Sequence, residues 1–250
     1  MISGDQYLVS KSVQLFVTCI IDTLYPEIGE AVVHVLQKAG RDVEFPNGQT
    51  CCGQPAFNAG MRSEARVMAE HTIEVFEHCP GDIIIPSGSC TSMVKYGYQE
   101  LFADDPNWLE RAKKLADRTY ELTQYLVDVI EITELQSSYE GNLTYHASCH
   151  LLRDLGVDIQ PLKLLDNIQG AKFSPLPNQE ECCGFGGLFS IEHPEISKEM
   201  LDRKIENFLS SGADTLIACD AGCIAHISGG LHRRKIQRDV LHIAEVLAMN

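Results

Sequence analysis

The tripeptide Cys51-Cys52-Gly53 returns later in the chain as Cys182-Cys183-Gly184. A single cysteine precedes each pair, Cys19 and Cys149, and another follows it, Cys90 and Cys223. The second set trails the first at a nearly constant distance along the chain. Four matched positions mark an internal duplication, and any fold proposed for the chain must accommodate it. Adjacent cysteines in an extended strand point to opposite faces. They converge on one object only where the backbone turns sharply, and the glycine after each pair permits that turn by entering positive φ at no steric cost. Gly186 and Gly187 extend the same freedom in the second copy. Backbone N–H groups exposed in such a loop can hydrogen-bond sulfur and tune its electronics.

Short apolar runs at 14–18, 42–45 and 82–86 read as strands. Residues 28–38 and 62–78 carry apolar positions at helical spacing, with Gly40 as a C-cap. Cys19 and Cys90 fall where strands hand over to helices, and the loop after the second strand delivers Cys51 and Cys52. The second half repeats this order, with strands at 143–146, 172–174 and 215–218 and helices at 162–168 and 197–210. It closes with a strand at 238–242 and a helix at 243–249. This alternation predicts an α/β protein of two pseudo-symmetric halves with mostly parallel sheets and the cysteine clusters at the carboxyl edges. The halves are expected at 13–135 and 142–250, joined by a linker at 136–141. Residues 104–132 read as a mostly helical bridge with no counterpart in the second half.

The formal net charge of −15 over 250 residues disfavours nucleic acid and anionic membranes as partners, since both call for basic patches. No apolar run is long enough to span a bilayer, so direct membrane insertion is not expected. The first twelve residues lack the apolar core of a signal peptide, which points to a cytoplasmic protein that meets a membrane only through a partner. With 44% hydrophobic residues the chain can build a core without disulfides, and in a reducing compartment ten cysteines read as metal-binding or redox groups.

Each half offers four matched thiolates, Cys19, Cys51, Cys52 and Cys90 in the first and Cys149, Cys182, Cys183 and Cys223 in the second. Four thiolates suit an iron–sulfur cluster or a tetrahedral zinc. The ligands lie too far apart for a compact knuckle, so only a folded half brings them together. Eight separate structural cysteines would have no reason to share an offset. His146 and His150 flank Cys149, either to carry a proton beside a cluster or to orient the loop by a hydrogen bond. His226 and His242 read as packing or surface residues, and Cys79 as a plain buried thiol. Arg233 and Arg234 are either a carboxylate anchor or a solvated helix face. No Gly-x-Gly-x-x-Gly run follows a strand, and no Ser-His-Asp grouping stands out.

The motifs CCGQP at Cys51, PSGSC ending at Cys90, HASC ending at Cys149, CCGFGG at Cys182 and HIAEVL at His242 resemble the twice-repeated CCG cysteine-rich domain family over nearly the whole chain. Relatives in that family include the cysteine-rich subunit of heterodisulfide reductase and the iron–sulfur subunits of glycolate oxidase and anaerobic glycerol-3-phosphate dehydrogenase. CCGQP, CCGFGG and the compact length favour its lactate branch. The resemblance implies iron–sulfur clusters of 4Fe-4S type, one per half, on the eight matched cysteines. It also implies an oxidoreductase subunit that transfers electrons in the oxidation of L-lactate, a small 2-hydroxy acid, to pyruvate. Two partner proteins come with it, one a ferredoxin-like iron–sulfur protein. A heterodisulfide or thiol–disulfide reductase subunit and a zinc-stabilised binding module without redox function are the alternatives.

The sequence departs from the heterodisulfide reductase pattern at one corner of each site. In that enzyme's cysteine-rich subunit the downstream cysteine is the second of a Cys-x-x-Cys pair, whereas here the first position of the pair is Ser87 or Asp220. The departure leaves three options open. Ser87 and Asp220 supply oxygen ligands, they line an open iron site for substrate, or Cys219 shifts in as a fifth thiolate.

Overall fold

The computed structural model describes residues 11–250. The first ten residues of the stretch searched for a signal peptide lie outside the described residues. Strands β1 (Ser12–Leu15), β2 (Asp42–Glu44), β3 (Asp82–Ile85) and β4 (Thr119–Glu121) form one sheet in the order β2-β1-β3-β4. Strands β5 (Ser138–Tyr145), β6 (Gln169–Phe173), β7 (Thr215–Ala218) and β8 (Asp239–His242) form a second in the order β6-β5-β7-β8. All pairings are parallel. The duplication seen in the cysteines is therefore a duplication of the fold.

The central strands explain themselves by burial. Ile83, Ile84 and Ile85 are buried without alternation, as expected of a parallel strand covered on both faces. The edge strands β2 and β6 are exposed at most positions and carry charged side chains, which protects their open edges from pairing with another chain. The helix Pro26–Lys38 takes proline in its first turn and buries Ile28, Val32, Val35 and Leu36. It stops where Gly40 adopts φ +74° and Arg41 N donates back to Leu36 O at 2.9 Å.

In each sheet the chain leaves the first strand toward one neighbour and later returns to the other. The crevice at such a switch point opens at the carboxyl ends of the two middle strands. Those ends carry the functional segments. The helix Cys19–Leu24 follows β1 and Gly88–Ser92 follows β3, while Cys149–Arg153 follows β5 and Ala221–Arg233 follows β7. The halves dock with these edges facing. Gly88 lies so close to the helix Cys149–Arg153 that a Cβ there would fall 2.7 Å from Leu151 Cβ.

Two expectations need correction. Residues 104–132 are mostly helical and pack across the halves, with 122–129 against the helix Ile159–Leu165, but they do have a counterpart in the second half. The helix Pro106–Asp117 gives way to β4 and the short helix Leu122–Gln124, and β4 pairs with β3 as β8 pairs with β7. Three residues between two helical segments are too few to impose a period of two on the sequence. The polar stretch 136–141 is not a free linker. Its last four residues, 138–141, begin β5, with Ser138 paired to Gln169 of β6.

The halves share a core. One buried apolar cluster includes Val13, Leu15 and Ile84 of the first sheet with Leu143, Tyr145 and Ile217 of the second. The helix Ile243–Ala248 packs on Pro26–Lys38, and Lys38 Nζ donates to Met249 O at 3.1 Å. Among the described residues no helix is long and apolar enough to cross a membrane.

Candidate metal centre

All eight matched cysteines line one cleft between the halves, about 880 Å³ with its mouth included. None is disulfide-bonded. Cys52 Sγ lies 3.3 Å from Cys90 Sγ, and Cys183 Sγ lies 3.3 Å from Cys223 Sγ. Cys51 bridges Cys19 to Cys52, and Cys182 bridges Cys149 to Cys183, so each set forms a continuous chain of sulfur.

The backbone does what the glycines promised. Gly53 has φ +86° and Gly184 φ +90°, the left-handed region in which a side chain is strained. At Gly184 space is short as well, since a Cβ would lie 2.6 Å from Ser197 O and 2.9 Å from Met200 Cβ. Gly184 N donates to Cys182 Sγ at 3.3 Å. Upstream of Cys19 the turn falls on Thr18, a buried β-branched residue at φ 73° and a strained position.

Side chains from elsewhere in each half pin both loops. In the first half Tyr98 Oη donates to Cys52 O at 3.0 Å, and Gln49 Nε2 donates to Leu15 O at 2.8 Å. In the second, Ser197 Oγ donates to Gly184 O at 2.8 Å and the buried Lys204 Nζ donates to Asn178 O at 2.9 Å. Sequence reading passed over Tyr98, Gln49 and Lys204, because nothing local marks a side chain that reaches a distant carbonyl.

The sulfur chains polarise their members. Hydrogen bonds from Cys19 and Cys52 hold the Cys51 thiol far below its usual range, and those from Cys149 and Cys183 do the same for Cys182. The donors move the other way: Cys19, Cys52, Cys149 and Cys183 are raised by giving their protons to these neighbours. Cys223 is lowered to about 6, chiefly by its hydrogen bond with Cys183. Each half thus carries a thiolate at the centre of its cysteine set, and thiolate is the form that binds metal.

The two sets are not alike around their edges. His146 is fully buried, neither ring nitrogen makes a hydrogen bond of ordinary length, and the ring, which helps to lower Cys223, lies with Cys183 Sγ and Cys223 Sγ in a group whose ligand atoms are within 4.8 Å of one another. His150 stands at the cleft with Nδ1 3.6 Å from Cys149 Sγ and Nε2 3.5 Å from Gln54 Nε2. Ser87 and Asp220 line the same cleft, with their oxygens engaged in hydrogen bonds. Ser87 Oγ donates to Asp220 Oδ2 at 3.1 Å, Ser89 N donates to the same oxygen at 3.0 Å, and Gly222 N donates to Asp220 Oδ1 at 3.1 Å. They cap the helices Gly88–Ser92 and Ala221–Arg233. Cys219 sits away from the cleft in the core, its Sγ 3.9 Å from Tyr145 Oη, and burial pushes its thiol up.

Behind this seam lies a second matched pair that sequence reading missed in part. Glu121 ends β4 and His242 ends β8 in the same register, opposite Ile85 and Ala218. Both are fully buried helix caps. His242 Nδ1 accepts from Ala244 N at 3.1 Å, which leaves the ring proton on Nε2, 3.1 Å from Pro86 O. Burial lowers His242 to about 4 and raises Glu121 to about 7. No cysteine stands beside Glu121 in sequence, so nothing there signalled it.

The remaining candidates lie elsewhere. His226 packs against Phe185 and shares a hydrogen bond with Ser197 Oγ at 3.3 Å. Arg234 is paired with Asp202. Arg233 and Arg234 line a separate surface cleft, away from the cysteines. Cys79 is partly exposed rather than buried and donates to Val75 O at 3.3 Å.

Fold and cleft together define a class: duplicated α/β proteins whose cysteines collect on the facing carboxyl edges of their two sheets. The cysteine-rich domain family CCG matches at residues 13–95 and again at 143–228, and the chain belongs to that family. Among its relatives, lactate utilization protein A of Exiguobacterium sp. is 48% identical over 237 residues, covering 94% of this chain and 96% of that protein. Lactate utilization protein A of Geobacillus sp. is 47% identical over 235 residues, covering 94% and 98%. A hypothetical protein from Helicobacter pylori, known from its crystal structure, shares the fold with a TM-score of 0.67 at 12% identity. That likeness covers 95% of this chain and 48% of the other.

Proposed function

We propose that this chain is the iron–sulfur subunit of an L-lactate-oxidising complex, an oxidoreductase subunit that works with partners in the cytoplasm. Cys19, Cys51, Cys52 and Cys90 hold one cluster, and Cys149, Cys182, Cys183 and Cys223 hold the other. The observation that carries this reading is the convergence of both four-cysteine sets, free of disulfides, on a single cleft. The donor set fits the group: eight soft sulfurs, a thiolate-favouring residue in each half, and a backbone N–H on Cys182 Sγ. The relatives named for lactate utilization supply the substrate class, since the cleft itself does not select a 2-hydroxy acid.

When bound, clusters of the 4Fe-4S type supply one-electron transfer, and oxidation of lactate to pyruvate releases two electrons and two protons. The chain's own residues do the rest. Cys52, Cys183 and Cys223 are buried and keep water from one side of each site. The Gly184 N–H stabilises negative charge on Cys182. His150, at the cleft, is placed to pass a proton. A ferredoxin-like iron–sulfur protein and a further subunit complete the complex.

Protein purified without oxygen is expected to be brown, to hold iron and acid-labile sulfide, and to bleach on reduction. In the reconstituted complex lactate should bleach it. A colourless protein with stoichiometric zinc would overturn the reading in favour of a binding module. Reoxidation by disulfides without reduction by lactate would favour a heterodisulfide reductase-type subunit.

A further inference from the structure

The two halves differ at one position directly behind the sulfur chain. Phe16 follows β1 and donates its backbone N–H to Ile84 O at 3.0 Å, and His146 follows β5 and donates to Ile217 O at 2.9 Å. The residues are structural equivalents. In the first half the position is apolar: Phe16 packs tilted against Phe76, ring centroids 5.2 Å apart, inside the buried cluster that also holds Cys52. In the second half the same site holds an imidazole. It is buried, neither nitrogen makes a hydrogen bond of ordinary length, and the ring bears directly on the Cys223 thiol, which it helps to lower, grouped with Cys183 and Cys223 within ligand distance. Leaving a polar group buried without a partner costs about 1–3 kcal/mol. A hydrophobic ring fills the equivalent position in the first half, so packing alone does not demand that cost. A nitrogen donor beside thiolates is ordinary metal chemistry.

We propose that His146 is a nitrogen ligand of the metal centre in the second half, at the corner held by Cys183 and Cys223. This rests on the reading of the cysteine sets as metal sites. The first centre then has sulfur donors only, while the second has four sulfurs and one nitrogen, so the two are chemically distinct. The distinction is built into the duplication by one residue.

Pulsed EPR on reduced protein purified without oxygen tests this. Protein labelled with ¹⁵N-histidine is compared with unlabelled protein and with His146→Phe, which installs the residue of the first half. Iron and sulfide per chain are measured on every sample, so failure of the cluster reading shows as absent iron and overturns both proposals. With iron present, the expected result is the strong hyperfine coupling of a directly bound histidine nitrogen on one of two centres, lost in H146F. Weak coupling alone, as from a hydrogen bond to sulfur, would overturn the proposal, as would strong coupling that survives in H146F. Should H146F fail to fold, the labelled double variant His150→Gln, His226→Gln carries the test. The two histidines it removes lie near the second cysteine set, and His242, which is also near, has both nitrogens engaged by Ala244 N and Pro86 O, so the coupling must persist there, and its disappearance would overturn the assignment.

Discussion

Ser87 Oγ donates to Asp220 Oδ2 across the seam between the halves, at 3.1 Å. The two residues hold equivalent places before Cys90 and Cys223, each capping the helix that carries its cysteine. The site's two downstream corners are therefore tied to each other. The same carboxylate oxygen also accepts from Ser89 N, so Asp220 orders a loop of the opposite half.

This geometry separates two substitutions. Ser87→Ala removes one donor to a charged acceptor and should cost about 1–3 kcal/mol of stability. Iron and sulfide per chain should stay unchanged, and loss of iron in S87A would show that Oγ serves the metal after all. Asp220→Asn should cost more than S87A. Its amide nitrogen must face either Ser89 N–H or Gly222 N–H, and neither backbone donor can turn away. Urea unfolding of the three proteins under anaerobic conditions gives the order.

The cysteine offsets made the duplication legible, and with it the parallel sheets and the carboxyl-edge site. Those features follow from local runs and glycines that a single stretch of chain can display. Strand β4 was hidden because Thr119, Tyr120 and Glu121 are too short a run between helical segments. The Ser87–Asp220 contact was hidden for another reason: it exists only once two halves dock. The role of His146 needed both halves as well, because its meaning comes from Phe16 standing at the matching position of the other sheet.

The two CCG glycines should not tolerate alanine equally. At Gly184 an added Cβ meets Ser197 O at 2.6 Å and Met200 Cβ at 2.9 Å, and the helix Pro194–Ser210 that carries both cannot shift alone. At Gly53 the nearest atom is Met68 Cβ at 3.2 Å. Both substitutions add the strain of a positive φ, about 1–2 kcal/mol for a residue with a Cβ. Gly184→Ala is expected to lose roughly half of the bound iron, and Gly53→Ala distinctly less. Equal iron in the two variants would contradict this account.

Cys219 offers a control within the same segment as Cys223. Its thiol lies in the core beside Tyr145, whereas Cys223 joins the sulfur chain. Cys219→Ala should keep full iron and sulfide and lose some stability from the small cavity, about 1 kcal/mol. Cys223→Ala should lose the second centre and its EPR signal. Iron loss in C219A equal to that in C223A would make Cys219 a ligand.

Glu121 and His242 should act on stability in opposite directions along the pH scale. Glu121 titrates at about 7 in the fold against an ordinary 4.5, because burial disfavours its charge. As pH rises from about 4.5 to about 7 the unfolded carboxyl ionises first, so stability is lost across that window. His242 titrates at about 4 against 6.5, again through burial. Its contribution is complete above about 6.5 and is lost as pH falls toward about 4. Each effect is bounded by about 3 kcal/mol, and where the windows overlap they offset each other. Stability between about pH 4.5 and 6.5 is thus expected to be nearly flat with respect to this pair. Glu121→Gln keeps an acceptor for Thr123 N and removes the falling limb, so its stability should climb with pH over that range. His242→Asn keeps a cap for Ala244 N and should show the opposite slope. Urea midpoints at constant ionic strength measure both, and a Glu121→Gln profile parallel to that of the unaltered protein would show that Glu121 is ionised throughout.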